Sequence, residues 1–357
     1  MVLSRYQIKQ ELCCLRYLFS YRLFILYERG TYWMNVEDIY DVENEMGIFI
    51  KTIRKARGYN QEEISDGICS LTTLSRIEKG KRAVDFLMIE VLLDRMKVEK
   101  TEYEFVLDDD EYDVYEEREE ILSFILEKQY ERAKEKLVQY EMKYAKNRLH
   151  QQFVFWQRGL LLIEELEEQK QQEVTVVLQK KKEIKEVLLK ALVITAPKYE
   201  RKFQEREVLS NIELSCMTGI LYCVENNVEK EEAFEEMYQY FKWCKKREKL
   251  YPIPYRIAMQ YYAECLYDNK KYVQCKQICM EALEELSFTS KLENRADFFY
   301  LKAKAQEKIG FLNEEEKKQC IKDFLTAYYV IAFYDGEAQA EELKSYIKEK
   351  YAWQFIE

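Results

Sequence analysis

Arg76, with Ser70, Thr72 and Thr73 just ahead of it, forms the one constellation in this 357-residue chain whose residue types and spacing specify a chemistry. A guanidinium offers paired donors that fit the O6 and N7 acceptors of guanine, and a hydroxyl can donate or accept at a base edge. Leu71, Leu74 and Ile77 step by three through the same run, so one face of a helix over 70–79 is expected to point into a core. Ser70, Thr72, Thr73 and Arg76 are then left outside it. Cations suited to phosphate oxygens surround them: Lys79, Lys81 and Arg82 just past the helix, and Lys51 and Lys55 on an earlier one. Gln61, at the start of another short helix, stands beside free backbone amides that suit a backbone phosphate. Taken singly, each is as readily an ordinary solvated polar residue. Together they argue for contact with double-stranded DNA.

The elements that must position these residues can be read from 46 to 96. Ile48, Phe49, Ile53 and Ala56 recur at helical spacing over Met46–Arg57, and Gly58 supplies a stop. Asn60 precedes Gln61-Glu62-Glu63, an N-cap with a capping-box residue at the third helical position. A short helix over Gln61–Gly67, a break at Ile68-Cys69-Ser70 and a helix over Ser70–Lys79 ended by Gly80 follow. Asp85 caps a fourth helix carrying Leu87, Ile89, Leu92, Leu93 and Met96. Two short helices joined by a tight turn are what a helix-turn-helix requires. In that arrangement the second helix enters the major groove by its N-terminal residues.

The run Gln61–Gly80, QEEISDGICSLTTLSRIEKG, resembles the XRE/Cro-type helix-turn-helix, and more narrowly the PlcR and Rgg group of peptide-pheromone receptors of Gram-positive bacteria. The narrower likeness lies in the Ile-Cys step and shortened turn. The resemblance is specific over 46–98 and architectural beyond it. It implies that Gln61 opens the positioning helix, that Ser-Arg-Ile-Glu-Lys-Gly closes the recognition helix, and that Glu78 orients its neighbours. It also implies a two-fold homodimer on a pseudo-palindromic operator, in a cytoplasmic regulator of quorum-sensing type whose helical-repeat domain holds a short signalling peptide.

Paired helices follow from about residue 118. In Ile257–Leu283, Met259, Tyr262, Ala263 and Leu266 stand at the fourth, seventh, eighth and eleventh positions of a tetratricopeptide repeat, and Cys275, Cys279 and Ala282 fill its second helix. Phe299–Ala303 with Gly310, Cys320, Phe324 and Ala327 repeats the pattern. Ile121–Tyr140, Phe155–Gly159 with Ala191, and Leu209–Tyr240 are weaker copies. The fold expected is all-α: a lambda-repressor-like helix-turn-helix, then a right-handed TPR-like solenoid of about five hairpins with a capping helix near Glu337–Ala352. The domains are an extension (1–44), the reader (45–98), an acidic linker (99–120) and the repeat domain (121–357). A groove along the first helices would hold an extended peptide. By repeat position it is lined by Trp156, Gln260, Glu264, Tyr267, Tyr300 and Lys304, with Arg158 and Asn211 as polar additions; core packing or a solvated face is the plainer alternative for each.

Charge supports this division. The chain carries a net charge of −10, yet Met46–Val98 holds ten basic residues against seven acidic, while Glu99–Glu120 holds twelve acidic against two basic. The segment Asp108–Glu120 is expected to be a spacer helix or a solvated connector, or to engage the basic reader when no ligand is bound. Nine Gly and three Pro exclude a turn-rich β-sandwich. The ten cysteines form no CxxC pair and the chain has a single histidine, His150, so metal-site spacing is missing and buried thiols in a reducing compartment are expected. No glycine-rich phosphate loop or nucleophile motif appears, so no enzyme and no cofactor is expected. Leu12–Tyr27 is apolar but too short and too rich in arginine to span a membrane. It is read either as a helix packed on the body or a dimer partner, or as upstream of a true start at Met34. Two other readings stay open: an XRE-type repressor or antitoxin whose helical domain only oligomerises, and a TPR protein-binding scaffold.

Overall fold

A computed structural model describes residues 42–82, 84–98, 109–168, 173–199, 208–245, 252–286, 295–334 and 336–353, and the backbone of 25–27 and 30–32. Apart from one antiparallel hairpin, Ile25–Tyr27 (β1) paired with Gly30–Tyr32 (β2), the elements among these residues are helices. The apolar run Leu12–Tyr27 therefore ends in extended backbone rather than helix, and its residues before Ile25 lie outside the described part of the chain. So does 99–108.

The described helices fall into two compact units. The first holds the chain up to Leu161 with Val193–Pro197 and Val208–Ser210; the second holds Leu162–Leu192 and the chain from Asn211. The first unit begins with α1 (Val42–Ala56), α2 (Gln61–Ser65), α3 (Leu71–Ile77) and α4 (Phe86–Arg95). Asn60 accepts from the Glu63 amide while the Glu63 carboxylate accepts from the Asn60 amide, so α2 starts on the expected capping box. Asp85 caps α4 by accepting from the Met88 amide. Ile50, Ile64, Leu74, Leu92, Leu93 and Met96 converge in the core, each fully buried. Burying each such side chain stabilises by about 1.5–3 kcal/mol. Gly47 lets α1 meet the end of α3: a Cβ there would stand 1.8 Å from the Ile77 carbonyl oxygen.

The acidic stretch is helical from Asp109, as the first two turns and more of α5 (Asp109–Leu126). It packs rather than hangs free. Glu111 accepts from the Phe86 amide at 3.2 Å, Tyr115 meets the Phe86 ring edge-on, and Arg118 pairs with Glu90 at 2.5 Å. Neither partner of that ion pair is more than 12% exposed, and the Arg118 guanidinium also lies 4.9 Å over the Phe153 ring. On its other side Glu117 and Glu120 pair with Lys143 and Lys136 of α6 (Tyr130–Tyr144).

The remaining helices are α7 (Arg148–Glu168), α8 (Val174–Thr195), α9 (Asn211–Tyr222), α10 (Asn227–Lys245), α11 (Pro252–Asp268), α12 (Tyr272–Glu285), α13 (Ala296–Ile309), α14 (Glu314–Tyr334) and α15 (Glu337–Tyr351). Four of the expected pairs are adjacent helices, α5/α6, α9/α10, α11/α12 and α13/α14, with α15 against α14 as the closing helix. In the second unit α9 adjoins α11 and α11 adjoins α13, so first helices of successive pairs are neighbours. Small residues make the close contacts possible: Ala263, Cys275, Cys279, Ala282, Ala303, Ala327 and Ala340 are all fully buried. Seven described cysteines are buried free thiols, and Cys69 is half-buried.

Candidate functional site

Glu78, at the end of α3, is the fixed point of the α2–α3 pair. It is 3% exposed and takes a two-pronged contact from Arg54 of α1, Nε to Oε1 at 2.5 Å and Nη2 to Oε2 at 2.8 Å. Arg54 also donates to the Tyr59 carbonyl at 2.9 Å, so one guanidinium fixes both α3 and the loop into α2. Burial by itself would raise the Glu78 carboxyl; the hydrogen bonds from Arg54 and Gln61 and the Arg54 charge outweigh it and hold the pKa below the ordinary carboxylate range. Gln61 donates from Nε2 to Glu78 Oε2 at 2.8 Å. Its side chain is therefore committed to holding α2 on α3, which leaves its backbone amide as the part free to meet phosphate.

The turn between α2 and α3 exposes carbonyls that no helix satisfies, and two arginines take them up. Arg148 donates to the Gly67 and Ile68 carbonyls, and buried Arg95 donates to that of Asp66. The same arginines reach the end of α8, Arg148 to the Ile194 carbonyl at 2.9 Å and Arg95 to that of Thr195 at 3.2 Å. Gly67 sits at φ +72°, and a Cβ on it would stand 1.9 Å from the Thr195 oxygen.

With its frame fixed, α3 turns one face outward. Thr72 and Arg76 are exposed, and the Arg76 guanidinium makes no hydrogen bond or ion pair among the described residues. Lys55, Lys79, Lys81 and Arg82 are exposed and Lys51 is half-buried. Lys51, Lys79, Gln61 and Ser75 line a cleft of about 390 Å³ floored by Arg54 and Glu78. Two of the expected base readers are otherwise engaged. Ser70 is the N-cap of α3, not its first residue; its hydroxyl accepts from the Thr73 amide at 3.1 Å and donates to Thr73 Oγ1 at 2.9 Å. Thr73 also accepts from Arg82 at 3.2 Å, which ties that arginine back to the helix. Leu74 and Ile77 point inward as expected, whereas Leu71 is 48% exposed.

In the second unit, α11 and α13 bring together Gln260, Glu264 and Tyr267 with Tyr300 and Lys304. Gln260 donates to Glu264 at 3.2 Å, and Lys304 lies 5.9 Å over the Tyr300 ring and 5.0 Å over that of Tyr346. Burial pushes the Glu264 carboxyl up to about 7, helped by the charges of Glu167, Asp297 and Asp268 against the opposing Gln260 hydrogen bond. Tyr267 meets Tyr272 edge-on. Asn211 opens α9 in the same unit. Trp156 and Arg158 belong to the first unit instead, where Trp156 packs edge-on against Phe153 and Arg158 pairs with Glu141.

The family model for the helix-turn-helix matches residues 50–103. This segment is a helix-turn-helix domain. No curated protein matches the chain significantly in sequence. Solved structures to which the chain is similar include PlcR of Bacillus thuringiensis with the peptide PapR7 and DNA, at 16% identity over 84% of this chain and 99% of that one, with a TM-score of 0.47. The apo form of the same regulator aligns at 15% identity over 85% and 98%, with a TM-score of 0.48. The apo competence regulator ComR of Streptococcus vestibularis aligns at 16% over 87% and 98%, with a TM-score of 0.44.

Two helix-turn-helix residues escaped sequence reasoning. Ser75 is half-buried on the outer face of α3 and lines the cleft with Lys51. The three-residue step from Leu71 to Leu74 predicts an inward Leu71. Once Ser70 caps the helix, however, Leu71 is its first residue and no preceding turn covers it. A signal was present: Ser70 lies three residues before Thr73, as an N-cap does.

Proposed function

We propose that the chain is a sequence-specific DNA-binding transcription regulator, not an enzyme, working in the cytoplasm as a homodimer on pseudo-palindromic double-stranded DNA. One observation carries the reading: Arg76, unpaired among the described residues, and exposed Thr72 stand on the outer face of α3, followed by exposed Lys79 and Lys81, with the helix locked from behind by the Arg54–Glu78–Gln61 cluster. A locked helix loses little freedom on binding, and free donors at its outer face suit base edges in the major groove. The helical-repeat unit is the regulatory part. Its α11–α13 face combines an amide, a carboxyl, a lysine and two tyrosines, which suits the backbone and side chains of a short extended peptide. The likeness of Gln61–Gly80 to peptide-pheromone receptors supports the same occupant.

The test is selection of bound duplexes from a random pool, followed by Arg76→Ala and Lys81→Ala in binding titrations. Arg76→Ala should relax preference at one base pair and cost about 1–3 kcal/mol; Lys81→Ala should weaken all sequences about equally and flatten the salt dependence. Identical behaviour of the two variants refutes the assignment. Peptide control is tested by thermal shift with short peptides encoded beside the gene, and a peptide that stabilises the protein should change operator affinity.

A further inference from the structure

We propose that Leu71 is a specificity residue that reads the 5-methyl group of a thymine in the operator. The inference rests on the DNA-reading role above and names what one position of the site must be.

At 100° per residue, Leu71, Ser75, Thr72 and Arg76 lie within an arc of roughly 140° on α3, so Leu71 shares the outer face with the polar readers. It is 48% exposed, while Leu74 and Ile77 on the opposite face are buried to within 1%. A leucine half in water at the first position of a helix stands outside the set of side chains buried in the core. It does not cap, because Ser70 caps. The cap ties the Ser70 hydroxyl to Thr73, whereas Leu71, Thr72, Ser75 and Arg76 take no part in it.

The surroundings decide the occupant. Arg76, Lys79, Lys81 and Arg82, on α3 or just past it, are all exposed, a set of cations that suits a polyanion and opposes an apolar protein partner. On the major-groove edges of DNA the apolar group is the C5-methyl of thymine. Leu71 would therefore separate thymine from cytosine at one position, by van der Waals contact and exclusion of water rather than by hydrogen bonding. Arg76, five residues further along α3, would read a different base pair.

The test uses the full chain and the best duplex from the random-pool selection. Each thymine is replaced singly by deoxyuridine, which removes only the methyl group. One position per half-site should weaken binding about fourfold, the worth of one buried methyl. In Leu71→Ala, whose parent side chain is exposed and whose fold is checked by its melting temperature, the same replacement should change affinity by less than about 1.5-fold. Two results overturn the proposal: no deoxyuridine substitution affects the parent protein, or one does so equally in Leu71→Ala. If the selection yields no bound duplex even at low salt, the DNA-reading role itself fails and this assignment falls with it, a result distinct from binding that ignores the methyl group.

Discussion

Glu78 shows how a single residue decides whether α3 can be presented at all. It brings a carboxylate into a nearly dry site, a cost recovered only because Arg54 and Gln61 meet both oxygens. Glu78→Ala leaves the Arg54 charge buried without its partner, and should destabilise the first unit by about 3–5 kcal/mol in urea unfolding. Glu78→Gln keeps the shape and one acceptor, so it should cost distinctly less while still loosening α3. The structural role of Glu78 was legible from its place in the Ser-Arg-Ile-Glu-Lys-Gly run. The roles of Ser70 and Thr73 were not. Moving a helix start by one residue puts a hydroxyl at the N-cap instead of in the first turn, a boundary that residue types alone place to within a residue or two.

At the scale of elements, the turn between α2 and α3 depends on parts of the chain far from it in sequence. Arg95 and Arg148 satisfy its carbonyls, and the end of α8 lies against Gly67 so closely that a methyl group has no space. Gly67 combines a positive φ with that contact, so Gly67→Ala must both strain the backbone and displace the Thr195 carbonyl. The loss should exceed the roughly 1 kcal/mol of an ordinary left-handed glycine. Unfolding with helical content as the readout checks it, and a loss below about 1 kcal/mol would show that the end of α8 yields freely. The sequence pattern places Gly67 at the end of a helix, which accounts for its conformation. The contact with residue 195 was out of reach because no local pattern links the two. The acidic segment is a parallel case: its charge resembles a linker, yet Glu111, Tyr115 and Arg118 recur at helical spacing and grip α4.

Across the whole molecule, the order of helix pairs was readable because small residues recur where helices must approach closely. The way each unit responds to pH was not, since it depends on burial created by the fold. His150, in the first unit, is held down to about 4 by burial and then by the Arg118 charge, against an ordinary value of 6.5. Its neutral ring stacks on Tyr144 and contacts the Tyr140 hydroxyl. Between those values the unfolded chain binds the proton and the folded chain does not, so this contribution is complete above pH 6.5 and is lost as pH falls toward 4. Glu264, in the second unit, works in the opposite sense. Its carboxyl is raised to about 7 from 4.5, so the folded chain holds the extra proton, and the contribution present below pH 4.5 is lost as pH rises through 7. Glu264→Gln keeps an acceptor for Gln260 and carries no charge. It should therefore stabilise the protein at pH 8 by about 1–2 kcal/mol after allowance for solvent screening, with the gain disappearing near pH 5. His150→Gln should show its difference at the other end, flattening the loss of stability between pH 6.5 and 4. Urea titrations of the parent and both variants across pH 4–8 measure the two effects separately. If Glu264→Gln gives the same change in stability at pH 5 and pH 8, Glu264 is not held protonated by the fold.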